Sequence, residues 1–272
     1  NGSVEALSFN ADIALEDARL DANGVFDLPK ARGEGSLTFR HPSAARLFAL
    51  AFGRSEPVWM GEGSASFIAR IAAEGADITL PFFTLVAADT RLSGEGRLEL
   101  GSARPKFAWR IAAENLALPP LDTTDTEPLP LAFLPGVDGS LSLMATRIAL
   151  FGLPPIQNVN AELTLENGLL QLQSFNAALA GGRMEGRGQV DTSVKPPLLE
   201  GGFDISSATL AHPVFDFPFD LAAGRIDMAG RLAASGHSAS ALIASLQGAG
   251  RFLLADGVLA GLALRDAYAS AG

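Results

Sequence analysis

The stretch Glu162-Leu-Thr-Leu-Glu-Asn-Gly-Leu-Leu-Gln-Leu-Gln-Ser-Phe175 decides the fold class. Leu163 and Leu165 alternate with Glu162, Thr164 and Glu166. Asn167-Gly168 is a strong hairpin signal, after which Leu170, Leu172 and Phe175 resume against Gln171 and Gln173, with a slip of one residue. A period of two, with one apolar and one wet face, marks antiparallel strands. The same period recurs in both directions. Leu7, Phe9, Ala11, Ile13 and Leu15 alternate with Ser8, Asn10, Asp12, Ala14 and Glu16, and Phe107, Trp109 and Ile111 with Lys106, Ala108 and Arg110. Ile226 and Met228 lie between Arg225, Asp227 and Arg231. Asn23-Gly24, Asp138-Gly139 and Asp256-Gly257 read as further hairpin turns. At about 5–6 residues per strand, the chain holds on the order of 16 to 20 strand-like segments.

Helical signals are few: Ser43 to Phe52, Ser238 to Gln247 before Gly248, and a start at Arg265 to Ala271. Degenerate repeats are more informative. Gly94-Glu-Gly-Arg-Leu-Glu-Leu returns as Gly186-Arg-Gly-Gln-Val-Asp-Thr, and at the same offset Pro105 meets Pro197 and Leu118 meets Leu210. Gly63-Ser-Ala-Ser-Phe likewise returns as Gly139-Ser-Leu-Ser-Leu. Each Gly-x-Gly leads into an alternating strand rather than a helix, so it is a place where a sheet bends or bulges and not a nucleotide loop. Pro119 to Gly136 carries five prolines around Asp-Thr-Thr-Asp-Thr-Glu. It reads as a long loop or hinge (119–137) between a first curved sheet segment (1–118) and a second (138–272), the whole forming one continuous groove. The predicted fold is all-β: a long, mostly antiparallel, strongly curved sheet with two or three short helices.

Composition excludes several functions. The 272 residues are 48% hydrophobic and 18% charged, with net charge −10. No basic footprint is present for nucleic acid or for electrostatic docking on an anionic bilayer. With no Cys, thiol chemistry and disulfides are out. His41, His212 and His237 share no ligand spacing, and the acidic loop lacks the spacing and glycine of a calcium loop. No Gly-x-Ser-x-Gly elbow occurs, and Asp216 and Asp220 read as the wet side of a strand whose other side is Phe215, Phe217 and Phe219. Neither an enzyme, a metal nor a cofactor is expected.

Many strands with few helices leave apolar surface without cover. Such a sheet either folds on itself as a sandwich or barrel, or curls into a trough filled by an apolar guest. Acyl lipids are the natural guest, since a 16-carbon chain gains roughly 13 kcal/mol on leaving water. The alternation nominates Phe67, Phe82, Leu98, Trp109, Leu163 and Leu165 for the lining of that trough, with Phe203, Ile205, Phe217, Ile226 and Phe252 continuing it. Eighteen such strands would make a lane of about 85 Å. Two alternatives stand beside the conduit. One is a structural or adhesin-like array with a self-filled core; the other is a sugar- or peptide-binding sandwich, which the low aromatic content disfavours.

The C-terminal run Gly230-Arg-Leu-Ala-Ala-Ser-Gly, followed by Ser240-Ala-Leu-Ile-Ala-Ser-Leu-Gln-Gly-Ala-Gly-Arg-Phe-Leu-Leu-Ala-Asp-Gly-Val-Leu-Ala-Gly-Leu, resembles the AsmA-like family. So does Leu165-Glu-Asn-Gly-Leu-Leu through Leu179-Ala-Gly-Gly-Arg-Met-Glu-Gly-Arg-Gly-Gln-Val-Asp. The family also resembles TamB and other bridge-type lipid transfer proteins. The resemblance implies a U-shaped sheet with a hydrophobic groove for phospholipid in the periplasm of a Gram-negative cell. It implies a role in inter-membrane lipid transport or outer-membrane homeostasis, with unknown envelope proteins as partners. It also implies an inner-membrane tether through one N-terminal helix. That anchor is expected outside this segment, which reads as part of a longer protein.

Overall fold

The computed structural model describes residues 5–52, 56–57, 61–118, 123–149, 154–210 and 220–260. These form fourteen strands in one sheet whose spatial order is the order of the chain. The first seven are β1 (Ala6–Leu15), β2 (Ala18–Asp27), β3 (Arg32–His41), β4 (Ala65–Glu74), β5 (Asp77–Ala87), β6 (Thr90–Glu99) and β7 (Lys106–Ala117). The second seven are β8 (Asp138–Ala149), β9 (Ile156–Glu166), β10 (Leu169–Leu179), β11 (Gly182–Asp191), β12 (Leu198–Leu210), β13 (Asp220–Ser235) and β14 (Gln247–Ala260). All neighbours are antiparallel except β7 and β8, which run parallel. The sheet is open, not a barrel, and passes through the β7–β8 junction without a break. With fourteen strands rather than eighteen, its width is about 60 Å at strand spacing.

Two helices interrupt the meander. Helix α1 (Ala44–Phe52) follows β3, and Ser43 begins it by accepting the Arg46 N–H at 3.1 Å. Helix α2 (Ala239–Ser245) follows β13, with Ser238 accepting from Ala241 N. The helical signal at Arg265 to Ala271 and residues 119–122 of the acidic loop lie outside the described residues.

Of the four hairpin signals, one is a turn. Asn167 (φ 53) and Gly168 (φ 80) join β9 to β10 with both residues left-handed, the backbone such a two-residue turn requires. Asn23-Gly24 instead lies inside β2, Asp138-Gly139 opens β8, and Asp256-Gly257 lies within β14. What decides is the partner: Gly24 is the register mate of Phe9, and Gly139 of Phe107. A Cβ on Gly24 would come within 2.8 Å of the Phe9 ring. These glycines make room for rings.

The pairing of glycine with aromatic runs the length of the sheet. Phe26 faces Gly33, Phe83 faces Gly94, Trp109 faces Gly96, and Phe203 faces Gly230. In β6 the two glycines let rings from the strands on either side meet above them: Phe83 and Trp109 pack edge-to-face at 5.7 Å. The curvature lies beside the same glycines. Opposite Gly94 and Gly96, β5 inserts an extra residue between Leu80 and Phe83; opposite Gly186 and Gly188, β10 does so between Leu172 and Phe175. Such bulges bend a strand and increase its twist. The repeat read in the sequence is therefore a repeat of bulge, glycine pair and ring.

Many of these glycines lie tight against the neighbouring strand. A Cβ on Gly35 would come within 2.5 Å of the Asn23 carbonyl, and one on Gly94 would strike that of Arg110. A Cβ on Gly202, on the opposite face, meets nothing nearer than 3.5 Å, and Gly201 beside it on the ring-bearing face has the same room. Gly94→Ala is expected to cost about 2 kcal/mol or more through overpacking, and Gly202→Ala no more than about 0.5 kcal/mol. Paired thermal melts check this, and equal midpoints would refute it.

Candidate functional site

Partners in register share a face, so the two sides of the sheet can be followed strand by strand. One carries Phe9 and Ile13 in β1, Leu37 and Phe39 in β3, and Leu85 in β5. It continues through Leu141 and Leu143 in β8, Leu170 in β10, and Met228 and Leu232 in β13. Along the described strands the polar side chains on this face are His41 and Thr90, both at one rim. Charge is confined to the other face, where Arg97 bridges Asp77 and Glu99, Arg110 pairs with Glu95, and Arg251 with Asp204. These pairs are exposed and add little stability; they keep that side wet.

The rim holding the β4–β5 and β9–β10 turns is polar. Arg32 hydrogen-bonds Glu74 at 2.8 Å and Lys30 holds Asp27 at 2.9 Å. These bonds draw the Glu74 and Asp27 carboxyls below the usual carboxylate range, and Asp191 is lowered by its bond from Ser193. A lowered carboxylate lends its stability above its unfolded pKa and loses it as pH falls through the folded one, so this rim stays ionised into mild acid.

The register brings Phe67, Leu98, Trp109, Leu163 and Leu165 onto the apolar face, together with Phe203, Ile205, Ile226 and Phe252. Phe82 is on the opposite face: it pairs with Arg70 and is half exposed. The β5 bulge at Pro81-Phe82 reverses the parity, so Phe83 points inward, 6% exposed, against Phe67 at 6.0 Å and Trp109. The offset of 92 could have shown it, because Phe83 and Gly94 correspond to Phe175 and Gly186. Phe217 lies outside the described residues.

The apolar face has no second layer among the described residues. Among the described residues each strand packs on its sheet neighbours, and the other substantial contacts are α2 on β13 and the single 3₁₀ turn Leu134–Gly136 on β10. Buried positions on the sheet are mostly alanines, with Val159 the one large side chain fully enclosed. Phe9, Ile13 and Phe252 are about half exposed. The chain presents 17273 Å² to solvent, against about 11000 Å² for a compact monomer of its mass. Large apolar side chains left half exposed on one face, as Phe9, Ile13 and Phe252 are, are the mark of a binding surface. Among the described residues no group of His, Asp and Glu is arranged to hold a metal, and no helix is long and apolar enough to cross a membrane.

A sequence profile of the AsmA family matches residues 109–270, more than half of the chain. The chain belongs to the AsmA family. The matched region runs from Trp109 in β7 through β14, well beyond the two C-terminal motifs, so the parallel junction and the seven later strands fall inside it. AsmA proteins are a family of the bacterial envelope. No curated protein and no solved structure matches this chain.

The two neighbours in β5 separate the faces by experiment. Phe83→Ala is expected to destabilise by about 3–5 kcal/mol and Phe82→Ala by less than about 0.5 kcal/mol. Denaturant titration measures both, and a larger loss at Phe82 would reverse the assignment.

Proposed function

We propose that this AsmA-family sheet holds phospholipid acyl chains along its apolar face, without catalysis. In this reading it contributes to inter-membrane lipid transport or outer-membrane homeostasis in the periplasm. It is tethered to the inner membrane by a segment outside this chain and works with envelope proteins yet to be identified. The observation that carries the reading is the uncharged face that runs from β1 to β14 without a second layer among the described residues. A self-filled structural array needs such a layer, and beyond their sheet neighbours the described strands have only α2 on β13 and the 3₁₀ turn on β10 as substantial contacts.

Magnitudes favour a guest that is apolar and unspecific. Burying each CH₂ gains about 0.8 kcal/mol, so an uninterrupted lane offsets most of the cost of moving a chain through water. A lane of alanine, leucine, glycine and flat rings offers no polar anchor at which a chain would stall. Headgroups would stay at the mouth, beside the ion-paired rim.

The test is organic extraction of the purified protein, followed by mass spectrometry for phospholipid, with Phe203→Asp and Glu166→Lys in parallel. Wild type and Glu166→Lys should carry lipid. Phe203→Asp, which sets a charge across the lane, should carry severalfold less while still melting cooperatively. Wild-type protein that carries no lipid, even after incubation with phospholipid vesicles, would overturn the proposal.

A further inference from the structure

The connection from β7 to β8 has a task no hairpin has. Because these strands are parallel, it must travel from the rim where β7 ends to the rim where β8 begins, and so cross a face of the sheet. Chirality tells which face. Asp138 has its side chain on the polar side, in register with Lys106, and donates its N–H to Pro105 O at 3.0 Å. In a strand of L-residues drawn upward, a residue whose side chain points away from the viewer directs its N–H to the left. Seen from the apolar side, β7 therefore lies to the left of β8. A connection moving rightward is right-handed only if it passes in front, and nearly all parallel connections take that hand. By that rule the described part of the crossover lies over the apolar face.

Its described part, residues 123–137, is held far from both strands it joins. Ser240 N donates to Asp125 O at 2.9 Å and Leu129 N to His237 O at 2.7 Å, and Pro128 forms an isolated antiparallel bridge with Ser238. These partners lie at the β13–α2 connection, five strands beyond β8. The segment then returns past β10, where Leu134 is 4% exposed, and enters β8 beside Arg104, which binds Val137 O and Asp138 Oδ1. Burial along that rim is deepest at two of the strands it passes: Leu165 in β9 is 3% exposed and Ala234 in β13 is 5% exposed, whereas Leu170, Val190 and Leu199 are half-buried, as Leu98 and Ile78 are in the corresponding row of the first half.

We propose that residues 123–137 form a strap across the mouth of the trough over β8–β13, which must lift before a phospholipid occupies that half. This rests on the lipid reading above. A phospholipid moving along the lane carries its headgroup at the mouth, because burying an unpaired charge is prohibitive. The first half leaves that path open, and the strap crosses it in the second. The attachment at the β13–α2 connection includes the backbone hydrogen bonds at Asp125 and Leu129, which water can replace when the strap parts from the sheet.

The chain has no cysteine, so one engineered disulfide can lock the strap. Pro128→Cys with Ser238→Cys joins the two residues of the β-bridge, whose spacing suits a disulfide. Vesicles containing a phospholipid with a photoreactive acyl chain are the probe, and cross-linked peptides are mapped by mass spectrometry. Wild type, the single Ser238→Cys control and the reduced double variant should cross-link in both halves. The oxidised variant should keep cross-links on β2–β6, lose those on β9–β13, and regain them on reduction. Identical maps before and after oxidation would overturn the strap alone, with the lipid reading intact. No cross-links in wild type would overturn the lipid reading and the strap with it.

Discussion

Backbone pairing between neighbouring strands is what the rest of this structure depends on. A sandwich or an α/β domain gains much of its stability where layers meet; this sheet has no second layer among its described residues. Cohesion must come from the ladder and from side chains in contact along one face. That explains the ring-on-glycine pairs. Phe83 and Trp109 reach each other above β6 only because β6 supplies Gly94 and Gly96 beneath them. Glycine costs backbone entropy in a strand, and here contact between rings two strands apart offsets that cost. The same pairs flatten the apolar floor. Stability and a smooth lane come from one arrangement.

Parity was the legible part. Where strands keep strict alternation, the inward residues can be named from sequence, as Leu98, Trp109, Leu163 and Phe203 were. Parity fails wherever a bulge adds a residue, and a bulge is a property of two strands, not one. In β10 the slip before Phe175 is visible because Leu170 and Leu172 set a phase that Phe175 breaks. In β5, Phe82 and Phe83 are the same residue type, so nothing local says which one points inward. The hairpin signals failed for a related reason. Asn-Gly permits a tight turn, but Gly24 is required by Phe9 on the neighbouring strand. The β1–β2 turn falls instead at Glu16, which takes a positive φ of 50 without glycine.

The parallel junction was not legible at all. A run of prolines and acidic residues announces a long loop but not the direction in which the chain re-enters the sheet. Asp138 fixes that point: its carboxylate accepts the Asn167 N–H at 2.9 Å and pairs with Arg104 at 2.7 Å. Both partners are distant in sequence, and the hairpin signal that contains Asn167 says nothing of Asp138. The residue read as half of an Asp-Gly turn thus ties together three connections at one rim.

A sheet in which each strand packs chiefly on its two neighbours behaves as a one-dimensional array, its stability close to a sum of nearest-neighbour terms. Damage at one strand then need not propagate to the others, and a guest can occupy part of the lane without remodelling the whole. Exposure varies along this array: Phe9, Ile13 and Phe252 are about half exposed, while Leu165 and Ile205 are buried. An apolar side chain that is already enclosed gains little from further cover, so the half-exposed rows are where an apolar contact would stabilise the sheet most per residue.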